Sequence, residues 1–187
     1  MHIFIVHGYS ADVSAHWFPW LAERLATAGH RVSVVPLPTP DAPVREEWEA
    51  RLAAEIGTVD ADTVLVTHSL ATITALRFLA GLDNDWRLGG FVAVSGFLSP
   101  LPALPELDAY LTDAPDAAAL APRIEARTMI HSDNDEIVPP ASSRALAADL
   151  RAERIEVPGG GHFLAAEGFT TLPEALAAVE KITRSRP

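Results

Sequence analysis

Thr63-Val64-Leu65-Val66-Thr67-His68-Ser69-Leu70-Ala71 decides how this chain folds. A β-branched apolar run stops abruptly at Thr67-His68-Ser69, and a helical pattern begins at once. That is a strand, a tight turn and a helix, with one serine at the apex. In a nucleophile elbow such a turn lifts the serine Oγ above the end of a sheet, where a base can reach it. The strict pattern is Gly-x-Ser-x-Gly; Thr67 and Ala71 stand at its two glycine positions. A helix N-cap is the simpler role for a serine so placed. The partners further along the chain separate the two readings.

The flanking sequence repeats the same alternation. Residues 2–6, 31–35, 63–67, 88–95, 127–131 and 153–157 are short, largely apolar strand candidates. Helical patterns fill residues 15–28, with Ser14 as N-cap, and 44–57, 70–80, 139–150 and 171–183, the last opened by Pro173. Residues 97–122 differ: prolines 100, 102, 105, 115 and 122 interrupt short apolar clusters. They predict a connection with at most short helical turns over the sheet end. No repeat or linker divides the chain, so residues 1–187 are expected to form one domain. Strands alternating with helices imply a mostly parallel six-stranded sheet in a three-layer α/β/α arrangement. Ligands in such sheets bind beyond the carboxyl ends of strands.

The chemistry-bearing residues cluster at those ends. His7-Gly8 follows the first strand and His68-Ser69 the third. Asp133 and Asp135 follow the fifth, and Gly159-Gly160-Gly161-His162 the sixth. A serine hydroxyl needs a base to take its proton, and the base needs an acid to fix its tautomer. The order Ser69, then Asp133 or Asp135, then His162 is the order of α/β-hydrolases. Four further histidines, His7, His16, His68 and His131, raise a metal site. The usual zinc spacings are absent, so no metal and no cofactor are expected. Trp17 and Trp20 fit helix packing at i, i+3 better than substrate stacking.

Composition narrows the partners. The 187 residues are 49% hydrophobic and 21% charged, with formal net charge −11. An acidic surface repels phosphate backbones, so nucleic acid is not an expected partner. No basic cluster suggests an anionic membrane, and no apolar run approaches the roughly 18 residues of a membrane span. Cysteine is absent, which excludes disulfides and thiolate catalysis. Met1 leads directly into an apolar strand without a basic leader, so a cytoplasmic location is the expectation. Neither Gly-x-Gly-x-x-Gly nor a Gly-Lys-Ser/Thr phosphate loop occurs, which disfavours a nucleotide binder.

The chain resembles the small α/β-hydrolases of the YdeN and retinoblastoma-binding-protein-nine type. The resemblance covers nearly the whole chain. It rests on Val6-His7-Gly8-Tyr9, His16-Trp17-Phe18-Pro19-Trp20-Leu21, Thr67-His68-Ser69-Leu70-Ala71, Asp133-Asn134-Asp135-Glu136-Ile137-Val138-Pro139 and Gly161-His162-Phe163. It implies a reduced α/β-hydrolase fold with strand order 2-1-3-4-5-6. It implies serine hydrolase activity with Ser69 as nucleophile, His162 as base and Asp135 as the acid in Asp-x-x-Val-Pro, Asp133 being the alternative. The backbone N–H groups of Leu70 and Tyr9 would form the oxyanion hole, with Gly8 allowing close approach. His7 and His68 would brace the two oxyanion loops. The expected partner is a small acyl ester, less readily an amide; the sequence names no protein partner. The rival is a binding or scaffold protein that keeps the triad without using it.

Overall fold

The computed structural model describes residues 1–83 and 85–184. Six strands, β1 (His2–Val6), β2 (Arg31–Val35), β3 (Thr63–His68), β4 (Leu88–Val94), β5 (Ile124–Ser132) and β6 (Glu153–Val157), form one sheet. Its order is β2-β1-β3-β4-β5-β6, and every pairing is parallel. Among the described residues six helices accompany them: α1 (Phe18–Thr27), α2 (Arg45–Ile56), α3 (Ala71–Ala80), α4 (Ala117–Leu120), α5 (Pro140–Asp149) and α6 (Pro173–Arg184).

Side-chain alternation along the strands sorts the helices onto two faces. Ile3, Ile5, Val64, Val66, Val92, Val94 and Ile130 point to one face. There they meet Phe18, Leu21 and Leu25 of α1 and Ala175, Val179 and Ile182 of α6. Phe4, Val6, Leu65, Phe91, Ala93 and Met129 point to the other. They meet Trp48, Leu52 and Ile56 of α2, most of α3, and Leu146 and Ala147 of α5. Central strands buried on both faces read as continuous apolar runs because neither face is solvated. Burying an aliphatic or aromatic side chain at these positions stabilises the fold by about 1.5–3 kcal/mol.

Two expected starts move by three residues, and the other bounds by two or fewer. The first helix starts at Phe18 rather than near residue 15, and Ser14 is not its cap. The Ser14 N–H and hydroxyl both donate to Asp12 Oδ1, and His16 adopts a φ of 53°, which no right-handed helix contains. The fifth strand begins at Ile124, before the expected residue 127. Its first residues pair with β4 alone, since β6 joins only at Thr128. Glu125 and Arg127 are tolerated on that less buried stretch. The 97–122 connection contains only α4 and short 3-10 turns at Pro105–Leu107 and Ala121–Arg123.

The topology fixes where a site can form. The chain steps from β1 outward to β2, then crosses back to β3, so the switch point lies between β1 and β3. Val6 pairs with Thr67 and His68 with Val94. The turns after β1, β3 and β4 are therefore side by side.

Candidate active site

Ser69 sits at a sharp turn with φ 55°, a left-handed conformation that L side chains rarely adopt. Its N–H donates to the Val94 carbonyl at 2.9 Å, and its carbonyl accepts from Thr72 N–H at 3.0 Å. Strain of this kind is retained where surrounding structure enforces it. Thr67, at the elbow's first glycine position, is accommodated because its hydroxyl pairs with that of Thr72 at 3.0 Å. Ala71 is fully buried and small enough to let α3 close on the strand. Among the described residues, the Ser69 hydroxyl has no hydrogen-bond partner. Catalytic hydrogen bonds in enzymes are often long or poorly aligned before substrate arrives.

The Gly8 backbone lies against this elbow. A Cβ on Gly8 would fall 2.9 Å from the His68 carbonyl, 3.0 Å from Ser69 Cβ and 3.5 Å from Leu70 N. Only glycine permits that approach. Among the described residues, neither the Tyr9 N–H nor the Leu70 N–H donates a hydrogen bond. Two backbone donors, one following Gly8 and one following Ser69, thus remain without an acceptor.

His162 and Asp135 are paired. Asp135 Oδ2 lies 2.8 Å from His162 Nδ1, with both side chains buried. A carboxylate can only accept, so the neutral imidazole carries its proton on Nδ1 and leaves Nε2 as a base. The other Asp135 oxygen, Oδ1, accepts from Ile137 N–H at 2.9 Å and Val138 N–H at 2.8 Å. Asp133, the alternative acid, accepts instead from Gly159 N–H at 2.8 Å. Asn134 Oδ1 accepts from Gly161 N–H at 2.8 Å. Three successive side chains after β5 thereby hold three points of the glycine-rich loop after β6.

That loop has further supports. Ser132 Oγ donates to the Gly161 carbonyl at 2.5 Å. The Glu167 carboxylate accepts from the N–H groups of His162 and Leu164, each at 2.9 Å. His16 Nδ1 accepts from Ala165 N–H at 3.0 Å. Glu167 was not singled out in the sequence. A glutamate five residues past the histidine, in a capping position of a 3-10 turn, is its only sequence signal.

The remaining histidines divide between the loops. His7 Nε2 accepts from Leu37 N–H at 3.0 Å, so Nδ1 carries the proton and donates to the Gly8 carbonyl at 3.0 Å. His7 thus links the Gly8 turn to Leu37 after β2. His68 corrects its expected role: Nε2 lies 2.9 Å from the His162 carbonyl, so it braces the histidine loop rather than an oxyanion loop. Its Nδ1 is buried without a partner. Burial, reinforced by the nearby His162, holds the His68 imidazole well below its ordinary pKa, and burial also lowers that of His7. Trp17 and Phe18 pack edge-on against the His68 ring. Trp17 is thus a packing residue, and Trp20 stacks with Arg24. His131 is engaged with the Ser132 carbonyl and Glu156. Among the described residues, no group of three His, Cys, Asp or Glu could hold a metal ion.

A cleft of about 700 Å³ opens between residues 41–46 and 106–113. Tyr9, one residue past the glycine that touches the elbow, forms part of its wall; Ser69 and His162 do not. The far wall is fixed to the helix that follows Ser69. Tyr110 OH donates to Thr74 Oγ1 at 2.7 Å, and that hydroxyl donates to the Leu70 carbonyl at 3.1 Å. The Arg77 guanidinium donates to the carbonyls of Tyr110, at 2.8 Å, and Thr112.

A parallel sheet of this order, with a strained serine after β3 and a paired aspartate and histidine after β5 and β6, defines an α/β-hydrolase. The serine hydrolase family model matches residues 3–181, and the chain belongs to that family. It is 40% identical over 171 residues to YdeN of Bacillus subtilis (strain 168), covering 91% of this chain and 90% of that one. The crystal structure of the B. subtilis ydeN product superposes with a TM-score of 0.94 at 38% identity, covering 98% of each chain. A structure described with the carboxylesterases of Nitrososphaera gargenis shares the fold at TM-score 0.71 and 10% identity, over 99% of this chain and 92% of that one. No helix among the described residues is long and apolar enough to cross a membrane.

Proposed function

We propose that this family member hydrolyses small acyl esters, and amides more slowly, through an acyl-enzyme on Ser69. His162 Nε2 takes the Ser69 proton as Oγ attacks the acyl carbonyl carbon. The resulting oxyanion is stabilised by the free N–H groups of Tyr9 and Leu70. Asp135, held by two backbone amides, keeps Nδ1 protonated and stabilises the imidazolium. His162 then returns the proton to the departing alkoxide. In the second half, His162 takes a proton from water, the hydroxide oxygen attacks the acyl carbon, and Ser69 leaves with that proton. The carboxylic acid is released and the free enzyme restored.

The observation that carries this reading is the buried 2.8 Å pair of His162 Nδ1 and Asp135 Oδ2, whose imidazole lies 4.9 Å from the ring of His68, the residue before a serine held at φ 55°. The cleft beside Tyr9 offers room for an acyl or alcohol group of modest size. Anchoring of residues 110–112 by Arg77 favours a fixed wall over a large lid. The test is hydrolysis of p-nitrophenyl acetate and butyrate by wild type and Ser69→Ala. The reading requires turnover by wild type and a loss of several orders of magnitude in the variant, by analogy with other triads. Equal rates in the two would exclude Ser69 as nucleophile.

A further inference from the structure

We propose that Ser95 is a positioning residue for the Asp135–His162 pair, an inference that rests on the serine hydrolase reading above. Ser95 is fully buried, directly after β4, and its hydroxyl donates to Asp135 Oδ2 at 2.8 Å. That is the oxygen which also faces His162 Nδ1 at 2.8 Å. None of the segments that carry the family resemblance includes this serine. Register puts it there: His68 pairs with Val94, and Val94 with Ile130. The residue after Val94 thus falls between the strand of the nucleophile and the strand of the acid. The Ser95 N–H donates to the Ile130 carbonyl at 2.9 Å, which fixes its backbone to the acid's strand.

Its conformation argues for a role beyond filling space. Ser95 has φ 47°, and Gly96, the residue best suited to that conformation, stands one place later. A strained L residue persists where the surrounding structure enforces it, and such positions gather at functional sites. What the side chain gains here is a single hydrogen bond, to the acid of the pair.

Four donors then surround one carboxylate: two amides on Oδ1, and the Ser95 hydroxyl with the imidazole on Oδ2. The amides hold the carboxylate from one side, and Ser95 holds it from the other. The hydroxyl also disperses charge on the oxygen that faces the imidazole. Deleting it has two consequences. Rotation of the carboxylate becomes freer, so the imidazole is aimed less well at Ser69. The remaining charge on Oδ2 attracts imidazolium more strongly, so His162 protonates at higher pH. The other ionisable groups facing the pair are His68 from β3, His16 from the β1–α1 loop and Glu167 from the 3-10 turn. All are unchanged in the variants below.

The experiment compares wild type, Ser95→Ala, Ser95→Gly and Ser143→Ala. Ser95→Gly removes the hydroxyl while accepting the positive φ. Ser143→Ala deletes an equally buried hydroxyl that bonds the Gly96 carbonyl instead. Two readouts are taken: the pH profile of kcat/KM on p-nitrophenyl acetate, and the His162 imidazole titration by ¹H–¹⁵N NMR, assigned by its loss in His162→Asn. Both Ser95 variants should lose about tenfold in kcat, the scale of a modest misalignment. Both should move the acid limb and the NMR midpoint to higher pH, while Ser143→Ala moves neither. An unchanged midpoint in both Ser95 variants would overturn the inference. So would wild-type behaviour in Ser95→Gly alone, which would leave backbone strain as the cause. If wild type hydrolyses no ester, the hydrolase reading fails, and the NMR midpoint still decides whether Ser95 tunes the pair.

Discussion

Asp135→Asn isolates the tautomer on which the mechanism depends. In wild type, Oδ1 accepts from the Ile137 and Val138 N–H groups, and Oδ2 faces Ser95 and His162. An asparagine amide keeps its carbonyl oxygen toward the two backbone donors, because reversing it would set its NH₂ against two N–H groups. The NH₂ then faces His162 Nδ1 and donates to it. Nδ1 becomes the acceptor, the imidazole proton moves to Nε2, and no base remains to take the Ser69 proton. The expected loss in kcat is about 10³–10⁴-fold, the scale of the equivalent change in a serine protease triad. Losing a buried charged acceptor also costs about 1.5–3 kcal/mol. That lowers Tm by roughly 3–12 °C for a chain of this size. Steady-state hydrolysis of p-nitrophenyl acetate at pH 8, with calorimetry on the same samples, measures both. Asp133→Asn is the matched control: its carbonyl still accepts from Gly159 N–H, so activity should stay within about threefold. Asp135→Asn activity within tenfold of wild type, or a larger loss in Asp133→Asn, would refute the assignment of the acid.

Other perturbations test separate parts of the account. Gly8→Ala should lower kcat by about 100-fold, because its Cβ displaces the His68 carbonyl or Ser69 itself by several tenths of an ångström; the same p-nitrophenyl assay checks it. Burial holds the folded-state pKa of His68 below the unfolded value of about 6.5. The unfolded chain therefore binds the extra proton first on acidification, and stability falls as pH drops below that value. Scans of Tm between pH 5 and 7.5 should show this slope, and His68→Gln should make it shallower, leaving the part that His7 and His16 contribute. Asp41, Glu46, Glu106 and Asp113 line the cleft against Arg45 alone. Esters with a carboxylate in the acyl chain should therefore show lower kcat/KM than neutral isosteres, by a ratio that shrinks with added salt.

The strand pattern and the placement of the candidate site residues at strand ends were legible because both depend on local sequence. The bounds 2–6, 31–35 and 153–157 match β1, β2 and β6 residue for residue. Ser69, Asp135 and His162 follow β3, β5 and β6, as the sheet rule requires. What depends on pairing between distant strands was not legible. Ser95 reaches Asp135 only through the β3–β4–β5 register, and nothing within a few residues of it signals that bond. His68 looked like a brace for its own turn because sequence places it beside Ser69. Its imidazole instead reaches a carbonyl 94 positions away. Ser14 carried a capping signal that Asp12 intercepts locally. The elbow's missing glycine was compensated by Thr72, a residue whose partnership with Thr67 appears only once the turn is formed.

Whether Ser69 is an activated nucleophile is the claim on which the rest depends. Intact-mass analysis after treatment with a fluorophosphonate, on wild type and Ser69→Ala, tests it most directly. The account predicts one phosphonyl adduct on wild type and none on Ser69→Ala. A wild type that stays unlabelled, or a variant that still takes the label, would contradict it, and the former would favour a protein that keeps the triad without using it.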